Sequence, residues 1–180
     1  MTATTTATWA IDQSHSLAEF SVRHMMVSST RGQFQTITGA VELDEADLTN
    51  SRVEATIDVS SITTRDEKRD EHLRSADFFE VATFPTITFV STNIAKKSDE
   101  EYAVTGDLTI KGVTRPVVLK TTFNGIGTSP WGTAVAGFEA DTEISRKDFG
   151  LEWNVALETG GVLVGDKVKI HLELEVIKQS

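Results

Sequence analysis

The feature that most constrains the fold of this chain is a regular alternation of apolar and polar side chains. In residues 53–59, Val53, Ala55, Ile57 and Val59 alternate with charged or hydroxyl-bearing neighbours. Successive side chains of a β-strand point to opposite faces, so this pattern predicts a strand with one buried and one solvated face. It recurs about eight times, at 20–22, 37–43, 53–59, 87–89, 102–110, 117–123, 134–140 and 168–176, with a short extra strand around Trp9 and Ile11.

One-faced strands narrow the choice of architecture. Strands of a parallel α/β sheet are buried on both faces and read as continuous apolar runs, which these do not. Turn residues at Lys111-Gly112 and between Gly125 and Gly132 favour hairpins. The sequence therefore predicts an all-β protein, either an antiparallel barrel or a sandwich, and a closed barrel would place every apolar face in its lumen.

One segment, residues 64–79, departs from the alternation. Its first part, 65–71, is polar all round and is expected to be a solvated face, whereas Leu73, Ala76 and Phe79 are spaced for one face of a helix. We expect a short helical insertion against the barrel or over one of its ends. Three phenylalanines then either pack this helix onto the sheet or form the rim of a ligand opening: Phe78, Phe79 and Phe84.

Composition excludes several classes of partner and chemistry. The 180 residues carry a formal net charge of −10, so nucleic acid and anionic lipid surfaces would repel the chain as a whole. There is no cysteine, which excludes disulfides, thiolate nucleophiles and cysteine-based zinc sites. We expect no metal and no cofactor. The length predicts one domain over residues 8–178, preceded by a disordered tail over residues 1–7.

The sequence also sets expectations about location. No run approaches the roughly 18 apolar residues of a membrane helix, so no stable membrane insertion is predicted. The start of the sequence has no positive region followed by an apolar stretch, as a secretory signal would have. We therefore expect a cytoplasmic location, or a periplasmic or secreted one if a leader has been removed.

Catalytic signatures are scarce, and the histidines differ in their expected surroundings. The sequence has no P-loop, no His-Glu-x-x-His and no Gly-x-Ser-x-Gly elbow. His171 falls on a polar strand face and His15 in a turn, whereas His72 lies on the predicted helix. His24 shares the inward parity of Phe20, so it is either a hydrogen-bonded core histidine or a group that orients the polar end of a ligand.

A second polar candidate is the segment 146–153, which follows a predicted strand. Arg146 and Lys147 are adjacent cations in an acidic chain, and Arg offers bidentate donors where Lys offers a point charge. They predict either an anion contact or a salt-bridged turn that closes the barrel.

An ordered set of motifs resembles one known family. Taken singly each motif is weak, but together they cover residues 8–178 in unbroken order and resemble the YceI-like family. The motifs are Trp9-Ala-Ile-Asp12 with His15-Ser16, Phe20-Ser-Val-Arg-His24, Gly32-x-Phe34 with Gly39, Asp70-x-His72-Leu73 before Asp77-Phe78-Phe79, Phe84-Pro-x-Ile-x-Phe89, Gly106-x-Leu-Thr-Ile-Lys-Gly-Val-Thr-x-Pro116, Gly137-Phe-Glu139 and Arg146-Lys-Asp-Phe-Gly150.

The resemblance implies a lipocalin-like antiparallel β-barrel of eight strands whose lumen binds a polyisoprenoid or other lipid for carriage, storage or sequestration. It implies a binding protein rather than an enzyme, with no catalytic residues, and we expect either a monomer or a homodimer. The candidates near the polar head of the ligand are His24, His72, Arg146 and Lys147. The expected lumen residues are Phe20, Val22, His24, Val41, Ile57, Phe78, Phe79, Phe84, Phe89, Leu108, Ile110, Phe123, Ala136, Phe138, Phe149 and Trp153.

An eight-stranded barrel can be hollow or packed solid. Small residues of inward parity, Gly39, Gly106, Ala134, Ala136 and Ala140, either leave volume beside the large phenylalanines or interdigitate with them. With the family resemblance, we expect a cavity.

Two other functional classes remain open from the sequence. One is an enzyme or redox-cofactor protein that uses His24 as a base or axial ligand, which requires a second titratable group within hydrogen-bond reach. The other is a barrel that acts through a dimer surface, for which a lumen plug such as Ala136→Trp would leave function unchanged.

Overall fold

The computed structural model describes residues 6–180, which form eleven β-strands and one α-helix joined by short 3₁₀ turns. In chain order these are β1 (Thr6–Ile11), β2 (Leu17–His24), β3 (Ser28–Phe34), β4 (Ile37–Asp44), β5 (Arg52–Asp58), β6 (Ile62–Thr63), α1 (Glu67–Arg74), β7 (Thr86–Lys96), β8 (Glu101–Ile110), β9 (Val113–Thr128), β10 (Ala134–Ser145) and β11 (Val164–Lys178).

Eight of these strands close into an antiparallel barrel. Their order is β1-β4-β5-β7-β8-β9-β10-β11, and β11 pairs with β1 to complete the ring. Trp9 of β1 lies opposite Val41 of β4 on one side and Lys178 of β11 on the other. β2 and β3 form a hairpin that continues the sheet from β11, and β6 pairs with β3. The predicted all-β, eight-stranded barrel with one helix is confirmed.

The alternation along each strand separates the inner from the outer face. In β8, every second residue is buried, namely Tyr102, Val104, Gly106, Leu108 and Ile110, while the residues that alternate with them are half-buried or exposed. This is the arrangement that a period of two imposes on a sheet with an apolar interior. The barrel wall is thus a single β-sheet with an apolar inner face and a polar outer face.

Two stretches near the β2–β3 hairpin and the N-terminus differ from the prediction. The predicted strands omit β3, because 28–34 is polar and lacks alternation; the strand forms through its pairing with β2. Of the predicted tail, residues 1–5 lie outside the described residues. Thr6 and Ala7 belong to β1, where they pair with Asp44 and Leu43.

The helix is shorter than the predicted 64–79. It begins after Asp66, whose carboxylate accepts a hydrogen bond from the Arg69 amide at 3.1 Å, and it ends at Arg74. Ala76 and Phe79 therefore lie beyond the helix rather than on one face with Leu73. Ser75 stops the helix because its hydroxyl donates to the carbonyl of a residue three positions earlier, at 2.6 Å.

The polar part of the helix is not wholly solvated. Asp70 is buried, and its carboxylate accepts hydrogen bonds from the backbone amide and the hydroxyl of Thr64, at 2.8 and 2.5 Å. This aspartate anchors α1 to the chain that leaves β6. The prediction of a solvated face is wrong at this position, because the Asp70 carboxylate is buried and accepts hydrogen bonds from the protein instead of from water.

The β9–β10 turn also lies later than predicted. Gly125 and Gly127 are part of β9, and the chain reverses between Ser129 and Thr133, where the Ser129 amide donates to the Thr133 carbonyl at 2.8 Å.

No helix in residues 6–180 is long and apolar enough to cross a membrane.

Candidate ligand-binding cavity

The barrel encloses a cavity of about 360 Å³. Nearly every barrel strand contributes to its wall, and β2 and β3 complete it near α1. Cavities of roughly 300–1,000 Å³ are typical of sites that enclose small molecules. The barrel is therefore hollow, and the predicted cavity is present.

Many inner-face side chains are apolar yet only half-buried. Phe20, Ile57 and Leu172 are examples, and each lines the cavity. Their exposed surface faces an enclosed space bordered by other apolar groups rather than bulk water. Apolar surface in this position gains free energy when an apolar molecule covers it, at about 25 cal/mol per Å².

The small inward residues do not create this space in the way that the sequence suggested. A side chain at Gly106 would collide with the ring of Phe89, and one at Gly39 would collide with the backbone of β5. These glycines make room for their neighbours. Ala134 packs against the core cluster around Trp9, whereas Ala140 does line the cavity.

Most of the predicted lumen residues line the cavity. They lie on the inner faces of the barrel strands, on the β2–β3 hairpin or in the segments that follow α1 and β10. They are Phe20, Val22, His24, Val41, Ile57, Phe78, Phe79, Phe89, Leu108, Ile110, Phe138 and Trp153.

Four predicted lumen residues lie elsewhere. Phe84 packs against Gly112 in the β8–β9 turn. Phe123 and Ala136 belong to the cluster around Trp9. Phe149 is fully buried in the 3₁₀ turn after β10, where it packs into the core. Strand parity does not indicate how far along the barrel a side chain lies, and Phe149 is on no strand.

The polar lining is concentrated near α1. The lining residues that are also exposed are Glu19, Arg23 and Arg69, on β2 and α1. His24 and His72 also line the cavity and are half-buried. This end, which we call the α1 end, therefore has both polar groups and contact with solvent.

His72 is held in place at this end by an acid and two aromatic rings. Its Nε2 lies 2.8 Å from the Asp77 carboxylate. Its ring packs edge-to-face on Trp153 and on Phe78, with centroids 4.6 and 5.1 Å apart. Asp70, two residues earlier on α1, is not the acid that holds His72, because its carboxylate accepts hydrogen bonds from Thr64.

The opposite end of the cavity is lined by Leu43, Leu48, Tyr102, Thr121 and Leu174. Leu174 and Val164 mark the two ends along β11, since Val164 pairs with the last residue of β2. No charged side chain of the described residues lines the cavity at this far end. The cavity thus has charged lining groups at one end and an uncharged, mainly apolar lining at the other.

The adjacent cations Arg146 and Lys147 have different environments. Arg146 is buried, and its guanidinium donates to four backbone carbonyls, those of Gly165, Leu151, Trp153 and Val164, at 2.6–3.3 Å. Burial lowers the pKa of Arg146. It borders the cavity, but its donors are occupied by the backbone, so its first role is to hold the loop after β10.

Lys147 is exposed and does not line the cavity. Its prediction as a head-group contact is wrong, because consecutive residues of the 3₁₀ turn point in different directions. Sequence reasoning also missed Arg69, Leu48 and Tyr102. Of these, only Tyr102 had a signal, since it shares the inward parity of β8.

The two remaining histidines lie on the outer surface. His171 sits between Asp141, at 2.7 Å, and Glu173, at 3.2 Å; the hydrogen bond to Asp141 is the main cause that raises the pKa of His171. The predicted position on a polar strand face is correct, but the side chain is half-buried and paired with two acids rather than free in solvent.

His15 caps its turn through a 2.8 Å contact with Asp12, which raises the pKa of His15 and lowers that of Asp12. In residues 6–180, one group of His, Asp and Glu side chains has ligand atoms close enough to share a cation, namely Asp12, His15 and Glu175. His24 is not part of it.

A closed β-barrel with an apolar interior and one polar end defines a class of proteins that enclose small apolar molecules. The family model of the YceI-like domain matches residues 9–176. The chain therefore belongs to the YceI-like family.

Relatives and solved structures agree with this assignment. A UPF0312 protein of Staphylococcus aureus (strain MSSA476) is 42% identical over 168 residues, which cover 93% of this chain and 95% of that protein. Burkholderia cenocepacia BcnA has a similar structure, with a TM-score of 0.78, 28% identity and coverage of 92% of this chain and 98% of that one. The Campylobacter jejuni YCEI protein aligns with a TM-score of 0.74, 26% identity and coverage of 88% and 90%.

A domain from Saccharophagus degradans shares the fold at 17% identity, with a TM-score of 0.74 and coverage of 97% of this chain and all of that one. Its structure is described as that of a polyisoprenoid binding domain implicated in plant cell wall breakdown. At this identity the likeness shows the fold alone.

Proposed function

We propose that this protein binds a polyisoprenoid or a similar long lipid in the barrel lumen, for carriage, storage or sequestration. The observation that carries the proposal is the apolar cavity itself, whose charged lining groups are confined to Glu19, Arg23 and Arg69 at the α1 end and to the backbone-bound Arg146. The choice of a polyisoprenoid as the ligand class to test follows the description of the Saccharophagus domain, which shares this fold.

The physical chemistry favours a chain-shaped apolar ligand. Each buried methylene contributes about 0.8 kcal/mol, so an unbranched or prenyl chain gains affinity in proportion to the length that fits. Few polar contacts are needed for tight binding in such a site. Selectivity among chains of equal length is then modest, because an apolar wall distinguishes them mainly by volume.

The polar lining gives the ligand an orientation. A hydroxyl or phosphate group placed at the far end would lie among Leu43, Leu48 and Tyr102, where burying it without full hydrogen bonding is costly. At the α1 end it meets His24, Arg69 and His72 and has access to water. The ligand therefore enters with its apolar tail first.

The enzyme alternative has less support. It requires a second titratable group within hydrogen-bond reach of His24. Two titratable side chains that line the cavity with it have other partners, since Arg69 donates to the Thr64 hydroxyl and His72 pairs with Asp77. The family and its structural neighbours also favour a binding protein rather than an enzyme.

The test begins with organic extraction of freshly purified protein and mass spectrometry of the extract. The expected result is a lipid in near-stoichiometric amount. A matching titration uses primary alcohols of increasing chain length, and affinity should rise about fourfold per methylene until the cavity is filled, then level off. Affinity that is independent of chain length, together with a lipid-free extract, would contradict the proposal.

A further inference from the structure

Two loops beside the α1 end carry most of the exposed apolar side chains. Met25, Met26 and Val27 form the tip of the β2–β3 hairpin, and Val155 and Val162 lie on the loop between β10 and β11. These five residues, which we call the tip patch, are 39–79% exposed and make up five of the eight large exposed hydrophobic residues in the described chain.

The two loops form one surface. The Met25 amide donates to the Leu163 carbonyl at 2.8 Å, and the Leu163 amide donates to the Val155 carbonyl at 2.9 Å. The Met26 thioether packs against Gly161, where any side chain would collide with it. The tip patch is therefore a fixed feature of the fold rather than a set of scattered side chains.

The backbone at the tip is strained in order to present these methionines. Met25 and Met26 have φ values of +51° and +63°, a conformation for which hairpin turns normally use Asn and Gly. Strained backbone that persists in a fold is concentrated at functional positions. Met25 and Met26 are thus unfavourable at this turn both in backbone conformation and in solvent exposure, which points to a functional position.

Charge around the hairpin differs from charge in the rest of the molecule. The chain carries a net charge of −10, yet residues 20–41 contain no Asp or Glu and include Arg23 and Arg31. Arg23 donates to the Met26 carbonyl at 3.1 Å, and Arg31 lies in register with Ser21, which pairs with Lys169. The second loop, residues 146–163, carries two cations, Arg146 and Lys147, and three acids, Asp148, Glu152 and Glu158. The two segments together therefore have four cations against three acids, a formal net charge of +1, where the whole chain has −10.

The patch also borders the cavity. His24 directly precedes Met25, Leu163 directly follows Val162, and both line the cavity. An apolar ligand that leaves the α1 end therefore passes beside the tip patch.

From these features we propose that the tip patch is a docking surface for an anionic lipid bilayer. The apolar tips enter the interface while Arg23 and Arg31 contact lipid phosphates. The acidic remainder of the protein does not prevent this, because electrostatic interactions are screened beyond about 8 Å at physiological salt. The far end of β11, where Glu45 pairs with Lys178, lies at the other end of this 15-residue strand, about 45 Å away.

The test is cosedimentation with vesicles of phosphatidylcholine and phosphatidylglycerol (3:1) at physiological salt. The double variant Met25→Asn, Met26→Gly places the favoured turn residues at the tip. We expect vesicle binding to fall at least tenfold while the thermal midpoint stays equal or rises, because the backbone strain is relieved. Arg31→Gln should reduce the preference for these vesicles over pure phosphatidylcholine about fivefold.

The matched control is Trp131→Ser, which removes the most exposed apolar residue, in the β9–β10 turn at the opposite end of β11. It should leave vesicle binding unchanged. Equal binding by wild type and the double variant would overturn the proposal. Failure of the wild type to bind vesicles, with a concentration-dependent dimer that the double variant abolishes, would overturn it in favour of a second copy of this chain.

The docking proposal and the lumen proposal fail separately. Ala140→Trp occupies part of the cavity and should weaken ligand binding about 100-fold with vesicle binding intact, whereas the tip variant should retain binding of a soluble short-chain alcohol. Loss of vesicle binding in Ala140→Trp would show that the bilayer contact depends on the cavity and would overturn the tip patch as an independent docking surface.

Discussion

The two faces of the barrel wall follow different rules although they belong to the same strands. On β10, Phe138 and Ala140 line the cavity, while Glu139 and Asp141, which alternate with them, face solvent. Replacement on the inner face changes volume and apolar contact, and replacement on the outer face changes charge. One strand can therefore accept acids at every second position without disturbing the site.

Arg146 and Lys147 show the same contrast between neighbours. One cation is buried and bound to four backbone carbonyls, and the other is exposed. The cation that borders the cavity therefore has its hydrogen-bond donors occupied by the backbone rather than available to a ligand.

The largest expected effect comes from replacing the buried cation, Arg146, and comparing the result with replacement of the exposed one, Lys147. Arg146→Leu leaves several buried carbonyls without a donor and should lower the free energy of unfolding by about 3–5 kcal/mol. Lys147→Leu should change it by less than about 0.5 kcal/mol. Urea unfolding measures both, and equal effects of the two variants would show that the buried network is not what holds the loop.

Filling the cavity should have the next largest effect. Ala140→Trp displaces three or four methylenes of ligand and should weaken binding about 100-fold. The control is Ala103→Trp, which makes the same substitution on the outward parity of β8. Isothermal titration with a long-chain alcohol measures both, and unchanged affinity in Ala140→Trp would place the ligand outside the lumen. Ala136→Trp would not serve, because Ala136 is packed in the core around Trp9.

A smaller effect should come from the polar end. His24→Leu removes one hydrogen-bonding group from the cavity, so the preference for a prenyl alcohol over the hydrocarbon of equal length should fall about threefold to tenfold. His171→Leu, on the outer face, should leave that preference intact. Competition titration with the two ligands measures the ratio, and an unchanged ratio in His24→Leu would assign the head group to other residues.

The smallest expected effect is the pH dependence of His171. Its pKa is raised above the ordinary value of 6.5 by Asp141 and Glu173, so folding favours its protonated form. This stabilisation is complete below pH 6.5 and disappears as the pH rises through the raised pKa. The stability difference between wild type and His171→Asn should therefore be larger at about pH 5.5 than at about pH 9 in urea unfolding. A difference that is constant with pH would show that the ion pairs contribute nothing.

The fold was more predictable than the site because parity is a property of each strand alone. β5, β8 and β11 alternate cleanly, and this was enough to identify their inner faces. β3 has no alternation, so its pairing with β2 and β6 defines it. The ends of α1 were also misplaced, since Ser75 and the turns after it depend on local hydrogen bonds that composition does not reveal.

For the site, parity identified wall residues such as Phe20 and Phe89 but not their depth along the barrel. Phe123 and Ala136 have the right parity and lie where Trp9 and its neighbours fill the interior. Arg69 lines the cavity from a helix whose position the sequence leaves open. The division between a filled and a hollow part of the barrel is a property of all the strands together.

The closure of the barrel has a consequence for how the molecule is made. β1 pairs with both β4 and β11, so the first of the eleven described strands completes its pairing only when the eleventh has been translated. Such long-range pairing folds slowly, since a large loop must close before its contacts form. Until β11 pairs with β1, the nascent chain has no closed lumen. A chain that is interrupted before β11 leaves β1 and β10 with open edges, which are sites of aggregation.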